Sequence, residues 1–171
     1  DIVAKLRAPG GCPWDREQTH DSLKRNLLEE SYEVMEAIDQ GNPDILSEEL
    51  GDLMVQVVFH ADIAREAGDF QLEDVLRSIN SKLIRRHPHV FGNIQADTSD
   101  EVLRNWEAIK LTERSKQSKN KEETDRFPST FDGVPSSLPA LLKAQRVQTK
   151  ASRVGFDWRK IEEPLKKIRE E

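Results

Sequence analysis

The tripeptide Gly41-Asn42-Pro43 constrains the fold more than any other stretch, because it stands between two long runs of helical periodicity. Before it, Leu23, Leu27, Val34 and Ile38 recur at helical spacing; after it, Leu46, Leu50, Leu53, Val57 and Ala61 continue the pattern to Gly68. Asn is a strong helix cap and Pro suits the first helical position, so the tripeptide ends one helix and starts the next. Helices near 20 to 40 and 43 to 67 are therefore expected to form an antiparallel hairpin. A third, near 71 to 86, fits Leu72, Val75, Leu76, Ile79 and Leu83 and stops before Pro88. A fourth, near 98 to 112, opens on a Thr98-Glu101 capping box and carries Val102, Leu103, Trp106 and Ile109. No useful strand-like alternation occurs, and the expected fold class is all-α.

Only 36% of the residues are apolar, against roughly 45–50% in an ordinary globular chain. That favours a thin helical bundle, and a homodimer that covers the second face of the hairpin. The net charge of -6 argues against a nucleic-acid polymer as partner, since backbone binding needs a clustered basic face. The lone Cys12 cannot form an internal disulfide, no secretory leader opens the chain, and the longest uncharged apolar run, Leu53 to Phe59, falls far short of a bilayer span. The expectation is a cytoplasmic protein with no membrane association.

Residues 112–126 are rich in Lys, Glu, Ser, Gln and Asn and read as a mobile linker. Pro128, Pro135 and Pro139 then lead into a helix with Leu141, Leu142 and Val147, and another is expected near Trp158. Gly11-Cys12-Pro13-Trp14-Asp15 precedes Glu29-Glu30 much as Gly155-Phe156-Asp157-Trp158 precedes Glu170-Glu171, which hints at a repeated module. The chain opens at Asp1 and closes on Glu171 inside a helical pattern, so a portion of a longer protein is expected.

The chemistry concentrates in Glu29-Glu30-Ser31-Tyr32-Glu33 on the first hairpin helix and Glu49-Leu50-Gly51-Asp52 on the second. Glu30 with Glu33, and Glu49 with Asp52, are three residues apart and share a face. Glu30 falls level with Asp52, and Glu33 with Glu49, each pair symmetric about Gly41, so the four carboxylates are expected to face one another as a square. Most Glu-rich helix faces are merely solvated, but Glu30 lies between Leu27 and Val34, and Glu49 between Leu46 and Leu53, where periodicity calls for apolar residues. Clustered, partly buried carboxylates repel and are desolvated. No Lys or Arg shares their faces, and an all-oxygen set suits a hard divalent cation, Mg2+ or Mn2+.

These motifs, with the run Arg85-Arg86-His87-Pro88-His89-Val90-Phe91 and the Gly-Phe-Asp-Trp segment, closely resemble MazG, a family of all-α nucleoside triphosphate pyrophosphohydrolases. The resemblance implies a homodimeric bundle whose four-helix core forms with the partner, Mg2+ held by Glu30, Glu33, Glu49 and Asp52, and hydrolysis of an NTP or dNTP to the monophosphate and pyrophosphate. It also implies a division into a module over 1–111, a linker over 112–138 and the start of a second module over 139–171. A triphosphate needs cations at its tail, and Lys82, Arg85 and Arg86 cluster at the end of the third helix. By resemblance, Lys82, Arg86, Trp106 and Lys110 occupy nucleotide-binding positions, although a Trp at helical spacing is more often core. Glu29 is expected to act as the base orienting the attacking water.

His87 and His89, split by Pro88 and lacking a third soft ligand, read as packing residues, as do Cys12 and Trp14 in the opening loop. A di-iron carboxylate bundle would need two Glu-x-x-His motifs; the chain has only Glu17-Gln18-Thr19-His20, ahead of the first helix. The serious rival is a catalytically weak dimerisation or regulatory module that keeps the acidic square.

Overall fold

The computed structural model describes residues 2–119, 129, 131–158 and 160–170. Among these every regular element is a helix, and the chain divides into two compact units, residues 1–102 and 103–171. The first holds α1 (Ile2–Arg7), α2 (Pro13–Glu17), α3 (Lys24–Gln40), α4 (Pro43–Ala67), α5 (Leu72–Arg86) and α6 (Pro88–Phe91). Helix α7 (Ser99–Lys119) crosses the boundary, and α8 (Ala140–Ser152) and α9 (Glu162–Glu170) lie in the second.

The hairpin of α3 and α4 is the spine of the first unit. Gly41 takes the left-handed conformation (φ 66°) that ends α3, the Asn42 side chain accepts from the Asp44 N–H at 3.0 Å, and Pro43 opens α4. Gly68, with φ 80°, ends α4 in the same way. Helix α3 starts at Lys24 rather than near residue 20. Thr19 and Ser22 bond each other's backbone N–H through their hydroxyls, which offers that segment a turn in place of a helical start. The Thr98-Glu101 box forms as expected, with reciprocal bonds of 3.3 Å. Helix α7 nevertheless runs to Lys119, past the expected end at 112, because a segment too polar for a core can still consist of good helix formers. Residues 120–126 of the expected linker lie outside the described residues.

Three short helices escape periodicity. Helices α1, α2 and α6 have six, five and four residues, too few for a repeating face to show. Helix α1 packs on α2 and α4, held by Arg7. The Arg7 guanidinium donates to both Glu66 carboxylate oxygens (3.0 and 2.8 Å) and to the Asp15 and Gln18 carbonyls (2.6 and 3.1 Å). Asp62 lies at 4.0 Å. Trp14, expected to pack the opening loop, is exposed, while its neighbour Asp15 is buried at the Arg7 contact.

The core of the first unit is small: Val3, Leu23 and Phe59, with Val58 and Ile63 against them. Ala37, Ala61 and Ala64 are also buried. Leu27, Ile38, Leu50 and Val57, expected inside from their spacing, are exposed. An amphipathic hairpin of one chain covers only the part of its apolar surface that its own neighbours reach.

In the second unit, α8 ends at Ser152, and just beyond it Gly155 takes the left-handed conformation (φ 84°), with the Phe156 N–H returning to the Ala151 carbonyl. The helix expected near Trp158 begins at Glu162. Glu170 pairs with Lys167 at 2.7 Å, and Glu171 lies outside the described residues.

A carboxylate centre on the α3–α4 hairpin

Glu30 projects from α3, and Glu49 and Asp52 from α4; one oxygen of each lies within 4.8 Å of the others. The turn built by Gly41, Asn42 and Pro43 sets this register, since it counts the residues from each helix end to its carboxylate. Glu33 is exposed and stands outside the group of three, yet its side chain bonds to Glu30, and its charge acts on both Glu30 and Glu49. The square of the sequence reading is thus a triangle with Glu33 at its edge.

The electrostatics are those of uncompensated like charges. Burial, then the charges of Asp52, Glu33 and Glu49, push the Glu30 carboxyl above the usual carboxylate value. Desolvation and the neighbouring carboxylates, led by Glu33 and Asp52, do the same to Glu49. A neutral donor, Gln56, stands one turn past Asp52, and its Nε2 donates to Glu30 at 3.4 Å. Gln56 is buried, and its Oε1 has no hydrogen-bond partner among the described residues. Spacing alone could have found it: Glu49, Asp52 and Gln56 fall on one helical line. What hides it in the sequence is that a single Gln inside the run Leu53 to Phe59 reads as an interruption of apolar periodicity.

Glu29 turns away from the triangle and accepts from the Arg25 Nε at 2.8 Å on the exposed face of α3. Lys82, Arg85 and Arg86 share the last turns of α5, which packs against α4; Lys82 and Arg86 are half-buried and Arg85 is exposed. Trp106 and Lys110 belong to the second unit, both half-buried, with the Lys110 ammonium 5.4 Å from the Trp106 ring centroid. The His87 and His89 rings are tilted at 54° with centroids 5.7 Å apart, His87 Nδ1 lies 2.7 Å from the Leu83 carbonyl, and the acidic triangle is the one group among the described residues whose ligand atoms gather closely enough to hold a metal ion.

Known proteins are similar to this chain over the same segment. Residues 18–91, which contain the whole hairpin, match the MazG nucleotide pyrophosphohydrolase domain. The chain is 50% identical over 176 residues to the nucleoside triphosphate pyrophosphohydrolase/pyrophosphatase MazG of Thermotoga maritima, covering 99% of this chain and 64% of that protein. It is 45% identical over 171 residues to the nucleoside triphosphate pyrophosphohydrolase of Escherichia coli, covering 99% of this chain and 62% of the relative. The enzyme of the same name from Mycolicibacterium smegmatis is 41% identical over 157 residues, 91% of this chain and 45% of that one. The chain therefore spans less than two thirds of the length of these relatives. An all-helical fold, a carboxylate hairpin inside the matched segment and identities of this size along nearly the whole chain make residues 18–91 a MazG-type domain.

Proposed function

We propose that the chain hydrolyses nucleoside triphosphates, ribo- or deoxyribo-, to the monophosphate and pyrophosphate, using Mg2+ or Mn2+ held by Glu30, Glu33, Glu49 and Asp52. The observation that carries the reading is the meeting of Glu30, Glu49 and Asp52 oxygens within 4.8 Å, in a setting that raises the proton affinity of Glu30 and Glu49. A divalent cation offsets that repulsion, and the donor set is all oxygen, which suits a hard ion. The buried Gln56 Oε1 supports the fit, because a water or hydroxyl donor beside Glu30 would satisfy it.

When bound, the metal supplies charge stabilisation at the α-phosphate and lowers the pKa of water. The protein does the positioning. Gln56 holds Glu30 in its rotamer through the 3.4 Å bond. Glu29 serves as the base that takes a proton from the attacking water, exchanging its exposed bond to Arg25, which costs little to open. Lys82, Arg85 and Arg86 meet the phosphate tail, Trp106 offers a flat ring to the base, and Lys110 a further cation.

The same reading includes a homodimer. Leu27, Leu28, Met35, Leu50 and Met54 are exposed on α3 and α4, and a second hairpin laid against them would complete a four-helix core. It includes a module over 1–111, a linker over 112–138 and the start of a second module over 139–171. No described helix is long and apolar enough to cross a membrane, and the cytoplasm, where nucleotide pools lie, is the proposed location. The test is pyrophosphate release by this chain from each common NTP and dNTP with Mg2+ or EDTA. Metal-dependent release is expected. Binding of Mg2+ and nucleotide with no turnover would instead make the chain a regulatory module.

A further inference from the structure

His20 and His60 meet away from the carboxylate centre, where the turn before α3 touches α4. Their Nδ1 atoms lie 2.8 Å apart, their ring planes differ by 8°, and their centroids are 5.1 Å apart. The nitrogens are closer than the centroids by about two ring radii, so both Nδ1 atoms lie near the line that joins the centroids. The rings are therefore coplanar and edge to edge, the geometry of an N–H···N bond and not of a face-to-face stack.

Such a bond needs one Nδ1 that carries a proton and one that does not. Two neutral rings meet the requirement with opposite tautomers, and an imidazolium beside a neutral ring meets it with a stronger, charge-assisted bond. Two imidazoliums cannot, since both Nδ1 atoms would be donors and both rings positive. The contact closes with no added proton or one, and opens with two.

The surroundings leave this balance to the pair itself. His60 is half-buried and His20 is exposed. Within one helical turn of His60 stand Gln56, Val57, Ile63 and Ala64, none of them charged. Other charges at this end of the hairpin are paired: Arg7 of α1 with Glu66, Lys24 with Asp21, Arg25 with Glu29, and Arg65 with Asp62. On α5, which also packs on α4, Arg77 pairs with Asp74. Among the described residues, burial and then the His20 charge are what act on the His60 ring, and both hold it below its ordinary value of 6.5. A ring held low favours the closed form above about that pH, and the preference is lost as pH falls through the lowered value.

The contact holds a segment that has little else to fix it. Leu23 caps α3 without a side-chain bond to the helix. The turn before it rests on the Thr19 and Ser22 hydroxyls and on the Leu23 N–H, which reaches the Thr19 carbonyl at 3.2 Å. Leu23 and Phe59 are core neighbours, and His20 and His60 stand beside them in the chain, so the ring pair sits at the rim of the core. We propose that the His20–His60 pair is a proton-operated latch, which fastens the turn before α3 to α4 until both rings are protonated and then releases the first turn of α3.

The test uses nuclear magnetic resonance on the full, 15N-labelled chain from about pH 8 to about pH 5, the range in which imidazoles change charge. A coupling between the two Nδ1 nuclei across the hydrogen bond is expected at the upper end and should vanish at the lower. Over the same range, hydrogen exchange corrected for its intrinsic rate should show the Leu23 and Leu27 amides losing protection at least about tenfold. The Leu46 amide, bonded to the Asn42 carbonyl at the far end of the hairpin, should stay within about twofold. His60→Gln and His20→Gln should each abolish the step at Leu23, whatever protection they leave. The proposal is overturned if no coupling joins the two nitrogens at the upper end. It is equally overturned if Leu23 keeps its step in either variant, or if Leu46 loses as much protection as Leu23.

Discussion

Replacing Glu30 by Gln tests the reading of the hairpin at its most exposed point, because stability and metal response should move in opposite directions. Two carboxylate oxygens, from Glu49 and Asp52, lie within 4.8 Å of Glu30. At that distance each pair of unit charges repels by about 1 kcal/mol in a water-like dielectric, and salt reduces this further. Removing the Glu30 charge should therefore stabilise the metal-free protein by about 1 kcal/mol, a rise in Tm of roughly 2–4 °C for a chain of this size. The Gln side chain keeps a carbonyl to accept from Gln56 and adds an N–H donor beside the partnerless Gln56 Oε1, so nothing buried is newly orphaned. With Mg2+ the order reverses. The parent should gain Tm on binding the ion by mass action, the variant should gain much less, and hydrolysis should fall by about two orders of magnitude or more, as losing several kcal/mol of charge stabilisation implies. Differential scanning calorimetry with EDTA or Mg2+, alongside pyrophosphate release, measures all three. A variant that melts lower than the parent in EDTA and gains as much from Mg2+ would refute both the repulsion and the ligand role.

Because Glu30 and Glu49 carry raised carboxyl values in the folded chain, the stability they contribute is present below the unfolded value near pH 4.5 and is lost as pH rises through the elevated one. Melts in EDTA from about pH 4 to about pH 7 should show the parent losing Tm relative to Glu30→Gln across that window; a constant difference would count against the shift. Arg7→Leu should destabilise the fold by about 3 kcal/mol, since it leaves the Asp15 and Gln18 carbonyls unanswered and strips Glu66 of its bidentate partner, while Asp62 keeps Arg65 at 2.7 Å, and urea unfolding that moves by less than about 1 kcal/mol would contradict the clamp. Trp106→Ala should weaken nucleotide binding while leaving Mg2+ affinity unchanged, as titrations of each would show; equal losses in both would make Trp106 a core residue only.

The hairpin is legible in the sequence because its boundaries are built from residues with one strong conformational use each. Gly41, Asn42, Pro43 and Gly68 place α4 at Pro43–Ala67, and the i, i+3 spacing of its acids follows from that placement. The far end of α7 is not legible, because low apolar content measures whether a segment can make a core, whereas local propensity decides whether it coils. Arg7 escapes notice for a related reason. A buried arginine is defined by Glu66, Asp15 and Gln18, which only the fold brings to it, and α1 is too short to announce a face. The exposed Leu27 and Leu50 show the converse: periodicity reports which side of a helix is apolar, not whether this chain alone covers it.

The tight turn at Gly41 also acts as a ruler. Its two helices carry their acids at fixed counts from the tripeptide, so a residue added to α4 between Pro43 and Glu49 would swing Glu49 and Asp52 around the axis by about 100° and advance them about 1.5 Å. The apolar stripe would swing with them, and no side-chain adjustment could restore the triangle. Length changes in this chain are therefore confined to places that nothing counts from, beyond Gly68, while the short stretch from Glu30 to Asp52 can change in letter but not in number.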